Sequence, residues 1–324
     1  MRAVICSEFG PPESLRVVEQ PSVPLRPGQL RVAIEAAGLN FVDALIAGGR
    51  YQLKPQLPFT PGSELAGSVS EVGPEVEGFA VGDRVFASMG FGAFADEIVI
   101  GARQAVRVPE GVDAGRAATL GQSYCTAVFS LRNRAHLEAG QTLLVLGAGG
   151  GVGLAAVDVG RAMGATVIAA ASSDAKLDLA RSAGAVQTIN YSTESLKDRA
   201  RELTGGRGVD VAYDPVGGDL ADLALRSLDN DGQLLVIGFA SGTIPRLPAN
   251  QILLRNRRVV GVDWGQWALT HPDDNAAMLE EVLAEVSDGN YHPTPPTSYP
   301  LEDVAVALRD LLERRIAGKA VLVP

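Results

Sequence analysis

Apolar and polar positions follow one pattern in the first third of the chain and another in the rest. Up to about residue 110, short β-type runs are separated by Gly and Pro, as in Pro27-Gly28, Pro61-Gly62 and Gly73-Pro74. Many short strands with closely spaced turn signals are typical of a barrel or a sandwich. The predicted strands are Met1–Cys6, Leu15–Glu19, Leu30–Ala36, Ala66–Val72, Asp83–Ser88, Ala95–Ile100 and Ala105–Val108.

From about residue 113, strands alternate with segments of helical spacing. Apolar residues recur at that spacing from Val152 to Met163, and Gly164 then ends the helix. This alternation predicts βαβ units and a parallel sheet. The predicted strands are Leu143–Leu146, Thr166–Ala170, Val186–Asn190, Val209–Tyr213, Leu234–Gly238 and Val259–Asp263. The predicted helices are Val152–Met163, Asp174–Ala183, Ser195–Leu203 and Leu220–Leu228.

The segment after Trp264 is too short to be a domain of its own. It is predicted to contain helices near Asp274–Val286 and Leu301–Arg315 and a strand at Ala320–Val323, and we expect it to pack on the first domain. The predicted organisation is a β-rich domain over 1–122, a dinucleotide-binding domain with a doubly wound parallel sheet over 123–264, and a return to the first domain over 265–324.

Composition and charge exclude several classes of protein. The 324 residues are 46% hydrophobic and 20% charged, which is ordinary for a globular chain, and the net charge is −10. A chain this acidic lacks the basic surface of a nucleic-acid-binding protein and would be repelled by anionic membranes. Two cysteines and three scattered histidines form neither a disulfide framework nor a Cys/His metal site. We therefore expect no metal, nucleic acid or membrane partner.

Two segments bear on localisation. Met1–Cys6 reads as a strand and not as a signal peptide, so the cytoplasm is the expected compartment. Residues 139–157 carry no charge, but five glycines in the middle of this stretch disfavour a membrane-spanning helix. A strand, a tight turn and a new helix fit the stretch better.

The same stretch holds the strongest motif, Leu143-Leu144-Val145-Leu146-Gly147-Ala148-Gly149-Gly150-Gly151-Val152-Gly153. A buried strand runs through a glycine cluster directly into a helix. Glycines permit the tight turn and let backbone N–H groups approach a pyrophosphate, and the helix N-terminus adds partial positive charge. In this context the motif indicates dinucleotide binding.

The end of the next strand distinguishes the two nicotinamide cofactors, because an acidic residue there would hold the ribose 2′-hydroxyl of NAD. Here the chain reads Ala169-Ala170-Ala171-Ser172-Ser173-Asp174-Ala175-Lys176, with no carboxylate at the strand tip and a lysine one turn later. A 2′-phosphate would gain a charge-assisted hydrogen bond from Lys176. We therefore predict NADPH. The alternative is that Ser173 only caps a helix and Lys176 is a solvated surface residue.

Several motifs together resemble the medium-chain dehydrogenase/reductase superfamily, in particular its zinc-free quinone oxidoreductase branch, which is similar to zeta-crystallin. The resemblance covers essentially the whole chain. It implies an α/β fold with a GroES-like catalytic domain and a Rossmann domain. The motifs are Ala36–Asp43, Pro58–Gly67, Val81–Val85, the glycine turn 147–153, Asp214–Gly218 and Gly238–Gly242.

The resemblance also bears on metal binding. Zinc-dependent relatives place a ligand cysteine where this chain has Asn40 and a ligand histidine where it has Ser63. Neither residue replaces a thiolate or an imidazole as a zinc ligand. We therefore expect no metal to polarise the substrate. This suits hydride transfer to an acceptor that is already electron-poor.

The resemblance implies site residues. Asn40 and Tyr51 match an asparagine and a tyrosine that line the substrate cleft beside the nicotinamide, where they would stabilise a developing oxyanion. A second tyrosine of some members falls at Leu45, which makes the pocket more apolar. The implied cofactor residues are Thr126 at the nicotinamide amide; Gly150, Gly151 and Val152 at the pyrophosphate; Ser173, Lys176 and Tyr191 at the 2′-phosphate; Val216, Phe239 and Ser241 at the nicotinamide half; and Arg314 and Lys319 over the phosphates.

The expected function is that of a cytoplasmic, metal-free, homodimeric reductase that transfers hydride from NADPH to a quinone. An NADPH-dependent reductase of enones or of acryloyl-CoA-type enoyl thioesters remains the alternative within the same fold. A non-enzymatic NADPH-binding protein is a third reading. The physiological acceptor and the number of electrons transferred per step stay open.

Overall fold

The computed structural model describes residues 1–324, and the chain divides into two units by its internal contacts. Unit 1 comprises 1–122, 275–289 and 294–324. Unit 2 comprises 123–274 and 290–293. Each unit has its own apolar core, so each is described by itself.

The secondary structure consists of strands and helices numbered here in chain order. The strands are β1 (Arg2–Ile5), β2 (Arg16–Glu19), β3 (Gln29–Leu39), β4 (Glu64–Val72), β5 (Arg84–Ser88), β6 (Glu97–Gly101), β7 (Ala105–Arg107), β8 (Thr142–Leu146), β9 (Thr166–Ala171), β10 (Gln187–Asn190), β11 (Val209–Asp214), β12 (Leu228–Val236), β13 (Arg258–Gly261), β14 (Thr297–Pro300) and β15 (Ala320–Val323). The helices are α1 (Phe41–Ala47), α2 (Ala114–Ala117), α3 (Thr126–Val128), α4 (Gly151–Ala162), α5 (Asp174–Ser182), α6 (Leu196–Leu203), α7 (Gly218–Ser227), α8 (Ala249–Leu253), α9 (Trp264–Thr270), α10 (Pro272–Ser287) and α11 (Val304–Leu312).

Strand β3 organises unit 1. One edge pairs with β4, while the other pairs with β6 near the start of β3 and with β15 near its end. The seven-stranded sheet has the order β14-β15-β3-β4-β5-β7, with β6 on β3, and β1 pairs with β2 in a separate small sheet. Strand β15 thus joins the sheet that β3 begins, so the chain returns to unit 1 after unit 2.

Unit 2 is a doubly wound α/β domain. Its six strands are all parallel and have the order β10-β9-β8-β11-β12-β13. Every residue of β8 is buried, as expected for a central strand covered by helices on both faces. Strand order reverses between β8 and β11, and ligands of such sheets bind at the carboxyl ends of the strands beside this switch point.

The short segment 290–293 belongs to unit 2 because Asp158 of α4 holds it there. This carboxylate is buried, and its Oδ2 accepts a hydrogen bond from the backbone N–H of His292 (2.5 Å) and another from Tyr124 Oη (2.8 Å). Its Oδ1 accepts one from Arg161 (2.8 Å). The ring centroids of Tyr124 and Tyr291 lie 5.4 Å apart, so an aromatic contact also holds segment 290–293 in unit 2.

The predicted fold class is confirmed, since unit 2 is a Rossmann domain and unit 1 is rich in β-strands. Residues 265–274, assigned from the sequence to the return segment, lie in unit 2 by contacts, and 275–289 and 294–324 lie in unit 1. None of the helices combines the length and apolar character needed to cross a membrane.

Candidate active site and cofactor site

The glycine-rich segment forms a tight turn between β8 and α4. Gly147 adopts a φ of +59°, in the left-handed region, and the N–H of Gly150 donates to its carbonyl at 3.0 Å. A Cβ on Gly153 would lie 2.3 Å from the same carbonyl oxygen, so only glycine permits this close approach. Gly150 precedes α4 without a capping side chain. The first N–H groups of α4 are therefore directed out of the turn, where an anion would meet them.

Lys176 lies directly over this turn. A Cβ on Gly149 would come within 2.4 Å of the Lys176 Cβ, so the absence of a side chain at Gly149 makes room for the lysine stem. Ser173, which precedes α5, and half-buried Lys176 both follow the end of β9. Tyr191 follows β10, and its N–H donates to the carbonyl of Ala171 at 3.1 Å. The three residues predicted at the 2′-phosphate are thus gathered at the carboxyl ends of two adjacent strands.

Asp174 is the acidic residue that lies between Ser173 and Lys176, just after the end of β9. Its Oδ1 accepts a hydrogen bond from Asn190 Nδ2 at 2.9 Å, which draws the carboxylate toward the end of β10. It starts α5, where a negative charge is favourable to the helix dipole.

The second loop at the switch point follows β11 and is shaped by Asp214. The Oδ1 of this buried carboxylate accepts hydrogen bonds from the N–H groups of Val216 (2.8 Å) and Gly217 (2.9 Å). Burial raises the pKa of Asp214, while the two backbone hydrogen bonds oppose the rise. Gly217 has a φ of +70°, and a Cβ there would lie 3.0 Å from the ring of Phe239. Asp214 therefore fixes a sharp turn that no larger residue at position 217 would fit.

The loop after β12 packs on this turn. The N–H of Ser241 donates to the carbonyl of Val216 at 2.9 Å, and the N–H of Ala240 donates to Pro215 at 3.0 Å. A Cβ on Gly147 would lie 3.0 Å from Val216 Cγ2. Of the three residues predicted at the nicotinamide half, Val216 therefore adjoins the glycine turn, and Phe239 and Ser241 pack on the turn that contains Val216 and Gly217. Half-buried Thr126 lies in the helical segment that precedes β8, where π-helical turns, Gly121–Cys125 and Phe129–Arg134, flank α3.

Asn40 is the centre of a buried hydrogen-bonded group in unit 1. It precedes α1 and is only 7% exposed. Its Nδ2 donates to Glu64 Oε1 at 2.8 Å and to Ser63 Oγ at 3.3 Å, and its Oδ1 accepts from Lys319 Nζ at 2.5 Å. The amide orientation follows from these partners, because a flipped amide would face a carboxylate with its oxygen and an ammonium with its nitrogen.

Glu64 was not recognised as a site residue from the sequence, although it lies in the Pro58–Gly67 motif. Its side chain is fully buried, and its Oε2 accepts the N–H of Gln122 at 3.0 Å. A Cβ on Gly38 would lie 2.6 Å from Oε1, and one on Gly121 would lie 2.9 Å from Oε2. Two glycines thus make room for the carboxylate. A buried glutamate beside backbone glycines leaves no signal in a single sequence.

Asp43 of α1 completes this group. Its Oδ2 accepts the backbone N–H of Asn40 at 2.8 Å, which caps the helix. Burial raises the pKa of Asp43 to about 7, and hydrogen bonds from the Ser63 side chain and from the Asn40 N–H oppose that rise. The carboxyl group therefore changes protonation near neutral pH.

Tyr51 lies four residues beyond the end of α1, so Asn40 and Tyr51 lie at opposite ends of the same short helix. The Tyr51 ring is partly buried against the apolar core of unit 1. The two residues predicted to contact the acceptor thus flank one short helix.

The predicted cofactor residues divide between the units. Arg314 and Lys319 lie in unit 1, in the loop from α11 to β15, and all the others lie in unit 2. Arg314 is exposed and has a φ of +59°. The Lys319 ammonium contacts Asn40, which was predicted to be catalytic, and Glu64, which was not. No cluster of three or more His, Cys, Asp or Glu side chains in residues 1–324 is arranged to hold a metal ion.

The parallel sheet, the glycine turn at its switch point and the β-rich unit define a two-domain dehydrogenase or reductase of the dinucleotide-binding class. Family models agree: "Alcohol dehydrogenase GroES-like domain" matches residues 26–110, and "Zinc-binding dehydrogenase" matches 151–284. The chain is 40% identical to the bovine (Bos taurus) quinone oxidoreductase-like protein 2, over 99% of this chain and 92% of the relative. It belongs to the quinone oxidoreductase branch of the medium-chain dehydrogenase/reductase superfamily.

Solved structures show the same fold over the full length. Escherichia coli quinone oxidoreductase complexed with NADPH superimposes with a TM-score of 0.91, at 30% identity and with 100% of both chains covered. The CurK enoyl reductase superimposes with a TM-score of 0.88, at 26% identity, covering 99% of this chain and 98% of that one.

Proposed function

We propose that this chain is an NADPH-dependent, metal-free oxidoreductase that reduces quinones. The observation that carries the proposal is the placement of Lys176 over the glycine turn, with Ser173 and Tyr191 beside it. This arrangement provides a cationic group for a 2′-phosphate next to helix N–H groups for a pyrophosphate. The NADPH complex of the E. coli relative supports the same cofactor.

The residues present fit this cofactor, since Gly150 has no side chain to fill the space a pyrophosphate needs, while Gly149 makes room for Lys176 and Gly153 permits the tight turn. When bound, NADPH supplies a hydride. Asn40 then has one role in the proposed reaction: its Nδ2 donates a hydrogen bond to the acceptor oxygen as negative charge develops there. The Nδ2–Ser63 bond, at 3.3 Å, is longer than the 2.8 Å bond to Glu64, so a substrate oxygen would take the hydrogen now directed at Ser63.

Tyr51 acts with Asn40 in this proposal, as a second donor to the acceptor. A quinone needs no metal to polarise it, because its carbonyl groups already accept electrons readily. The side chains at the two positions where zinc-dependent relatives place ligands, Asn40 and Ser63, hydrogen-bond to each other. Such a pair suits hydrogen bonding to a carbonyl better than metal ligation.

The second candidate is reduction of an α,β-unsaturated carbonyl, an enone or an enoyl thioester. The likeness to the CurK enoyl reductase favours it specifically. The same oxyanion donor would serve an enolate, but this reaction also needs a proton donor at the α-carbon. A non-enzymatic NADPH-binding role is the third reading.

Steady-state oxidation of NADPH by the pure protein, with NADH as the control, tests these readings. The acceptors are ortho- and para-quinones, simple enones and short enoyl-CoA thioesters. We expect turnover with quinones and little with the others. Preference for enones or enoyl thioesters would establish the second candidate. Tight NADPH binding without turnover on any acceptor would contradict the enzyme reading.

We also propose a cytoplasmic homodimer. Strand β13 is an edge strand of the six-stranded sheet, and it exposes Val259. Leu253 and Leu254, just before it in the chain, are exposed as well. An uncovered edge with apolar neighbours is a natural place for pairing with a second copy.

A further inference from the structure

Lys319 was assigned from the sequence to the cofactor phosphates, but its ammonium group is fully occupied elsewhere. Its Nζ lies 3.2 Å from the carbonyl oxygen of Leu39, 2.5 Å from Asn40 Oδ1 and 3.0 Å from Glu64 Oε1. A lysine ammonium has three hydrogens, so these three acceptors account for all of them. The side chain is only 10% exposed. No hydrogen remains to be donated to a phosphate.

The same contacts determine the conformation of Asn40. Lys319 binds the amide oxygen, and Glu64 binds one hydrogen of the amide nitrogen. The Lys319 ammonium therefore fixes the amide oxygen of Asn40, and the Glu64 carboxylate fixes its amide nitrogen. Only one hydrogen of Nδ2 is left, and it makes the longer bond to Ser63.

We propose that Lys319 and Glu64 are positioning residues that hold the Asn40 amide with its second N–H directed at the acceptor oxygen. The inference rests on the proposed function, because it concerns the step in which Asn40 meets that oxygen. A positive charge on the amide oxygen also polarises the amide and strengthens its N–H as a donor. Lys319 thus acts in the chemical step and not in cofactor binding.

The surroundings suit a rigid device. Glu64 is fixed on its far side by the N–H of Gln122, and Gly38 and Gly121 close around the carboxylate. Glu64 is held at both oxygens and Lys319 at all three hydrogens. Both side chains are therefore held in place, and neither is free to turn toward a bound cofactor.

The first test is Lys319→Met, which keeps most of the stem and removes the charge. We expect kcat with a quinone to fall by about 10²-fold, the typical cost of a misplaced catalytic donor. The Kd for NADPH, from fluorescence titration, should stay within about twofold, since no phosphate contact is lost. Lys197→Met, at a half-buried lysine of α6, is the matched control and should change neither value. A raised Kd with unchanged kcat would overturn the inference in favour of a phosphate contact.

The second test asks whether Lys319 acts through Asn40. In an Asn40→Ala background, Lys319→Met should cause no further loss of kcat, because the group it positions is gone. Losses that multiply would show that Lys319 acts independently and would contradict the proposal.

Lys319→Met leaves the Glu64 carboxylate buried without its cation, which lowers the stability of the folded protein. The double variant Lys319→Met/Glu64→Gln removes both charges, and thermal unfolding monitors its stability. We expect it to fold, to bind NADPH and to remain as slow as Lys319→Met. A double variant with wild-type kcat would overturn the inference. Wild-type protein without turnover on any acceptor would instead contradict the proposed function and, with it, this inference.

Discussion

Lys176 is the residue on which the choice of nucleotide depends. Replacing it with alanine removes the cation expected at the 2′-phosphate, a charge-assisted contact worth about 1.5–3 kcal/mol. We expect Lys176→Ala to raise KM for NADPH by roughly 10- to 100-fold and to leave KM for NADH nearly unchanged. Steady-state kinetics with both nucleotides measures this. Equal effects on the two would contradict the phosphate assignment.

Tyr51 is the proposed second donor to the acceptor. Tyr51→Phe keeps the ring that packs on the core of unit 1 and removes only the hydroxyl group. We expect kcat to fall by up to about 10²-fold, as for loss of one oxyanion donor, with NADPH affinity retained. An unchanged kcat would remove Tyr51 from the mechanism.

Asp43 makes the stability of the protein depend on pH near neutrality. Its pKa is raised from 3.8 to about 7, so between these values the folded chain holds a proton that the unfolded chain has released. Stability contributed by this group therefore falls as pH rises through that window and is constant above it. A shift of this size corresponds to on the order of 4 kcal/mol.

Asp43→Asn should abolish this dependence, because the amide oxygen can still accept the Asn40 N–H and nothing titrates. We expect the stability of the variant relative to wild type to increase from about pH 4 to about pH 7 and then level off. Urea unfolding of both proteins across this range measures the difference. A constant difference would show that Asp43 titrates at its ordinary pKa.

The sequence predicted which residues lie together at the 2′-phosphate but not which lie together around Asn40. Ser173 and Lys176 are close in the chain and follow one predicted strand, so their position at its carboxyl end could be inferred. Lys319 and Glu64 are separated by 255 positions, and their contact depends on how β15 returns to β3. No pattern in a single sequence records such a pairing, so Lys319 was assigned by resemblance to the phosphates.

At the scale of elements, the turn from β8 to α4 depends on close backbone contact. Gly153→Ala would place a methyl group 2.3 Å from the Gly147 carbonyl oxygen, which the backbone cannot avoid without moving. We expect a loss of about 1–3 kcal/mol in unfolding free energy together with weaker NADPH binding. Gly265→Ala in α9 is the control, because its nearest neighbour would lie 3.8 Å away, and it should cause no loss. Equal stability of the two variants would contradict this account of the turn.

Strongly patterned elements were predicted well, and short or polar ones were missed. The buried strand β8 and helix α4 lie within a residue or two of the expected bounds. Helix α1 has only seven residues, too few for a helical period to show. Strand β14 (Thr297–Pro300) is a mostly exposed edge strand, so its polar residues gave no alternation to detect. The π-helical turns that flank α3 are a rare type of helix and were not predicted.

At the scale of the whole molecule, the proposed dimer gives a prediction about β13. A lysine at Val259 would put a charge on the exposed edge, which natural edge strands use to prevent pairing. We expect wild-type protein to sediment as two copies, and Val259→Lys as one copy that still binds NADPH. Arg103→Lys, on the surface of unit 1, is a charge-conserving control. A wild-type monomer would contradict the proposed interface.

The interrupted course of unit 1 along the chain has a consequence for biosynthesis. During translation, β3 emerges early, but its partner β15 emerges nearly three hundred residues later, after the whole sheet of unit 2. The nucleotide-binding sheet can therefore be assembled on the ribosome while the end of β3 is not yet paired with β15. Lys319 arrives with that last strand. A nascent chain that stalls before Lys319 would retain every strand of the nucleotide-binding sheet, but Asn40 would lack the cation that orients it. Such a product would bind the cofactor and have little activity, so only an activity assay would reveal the defect.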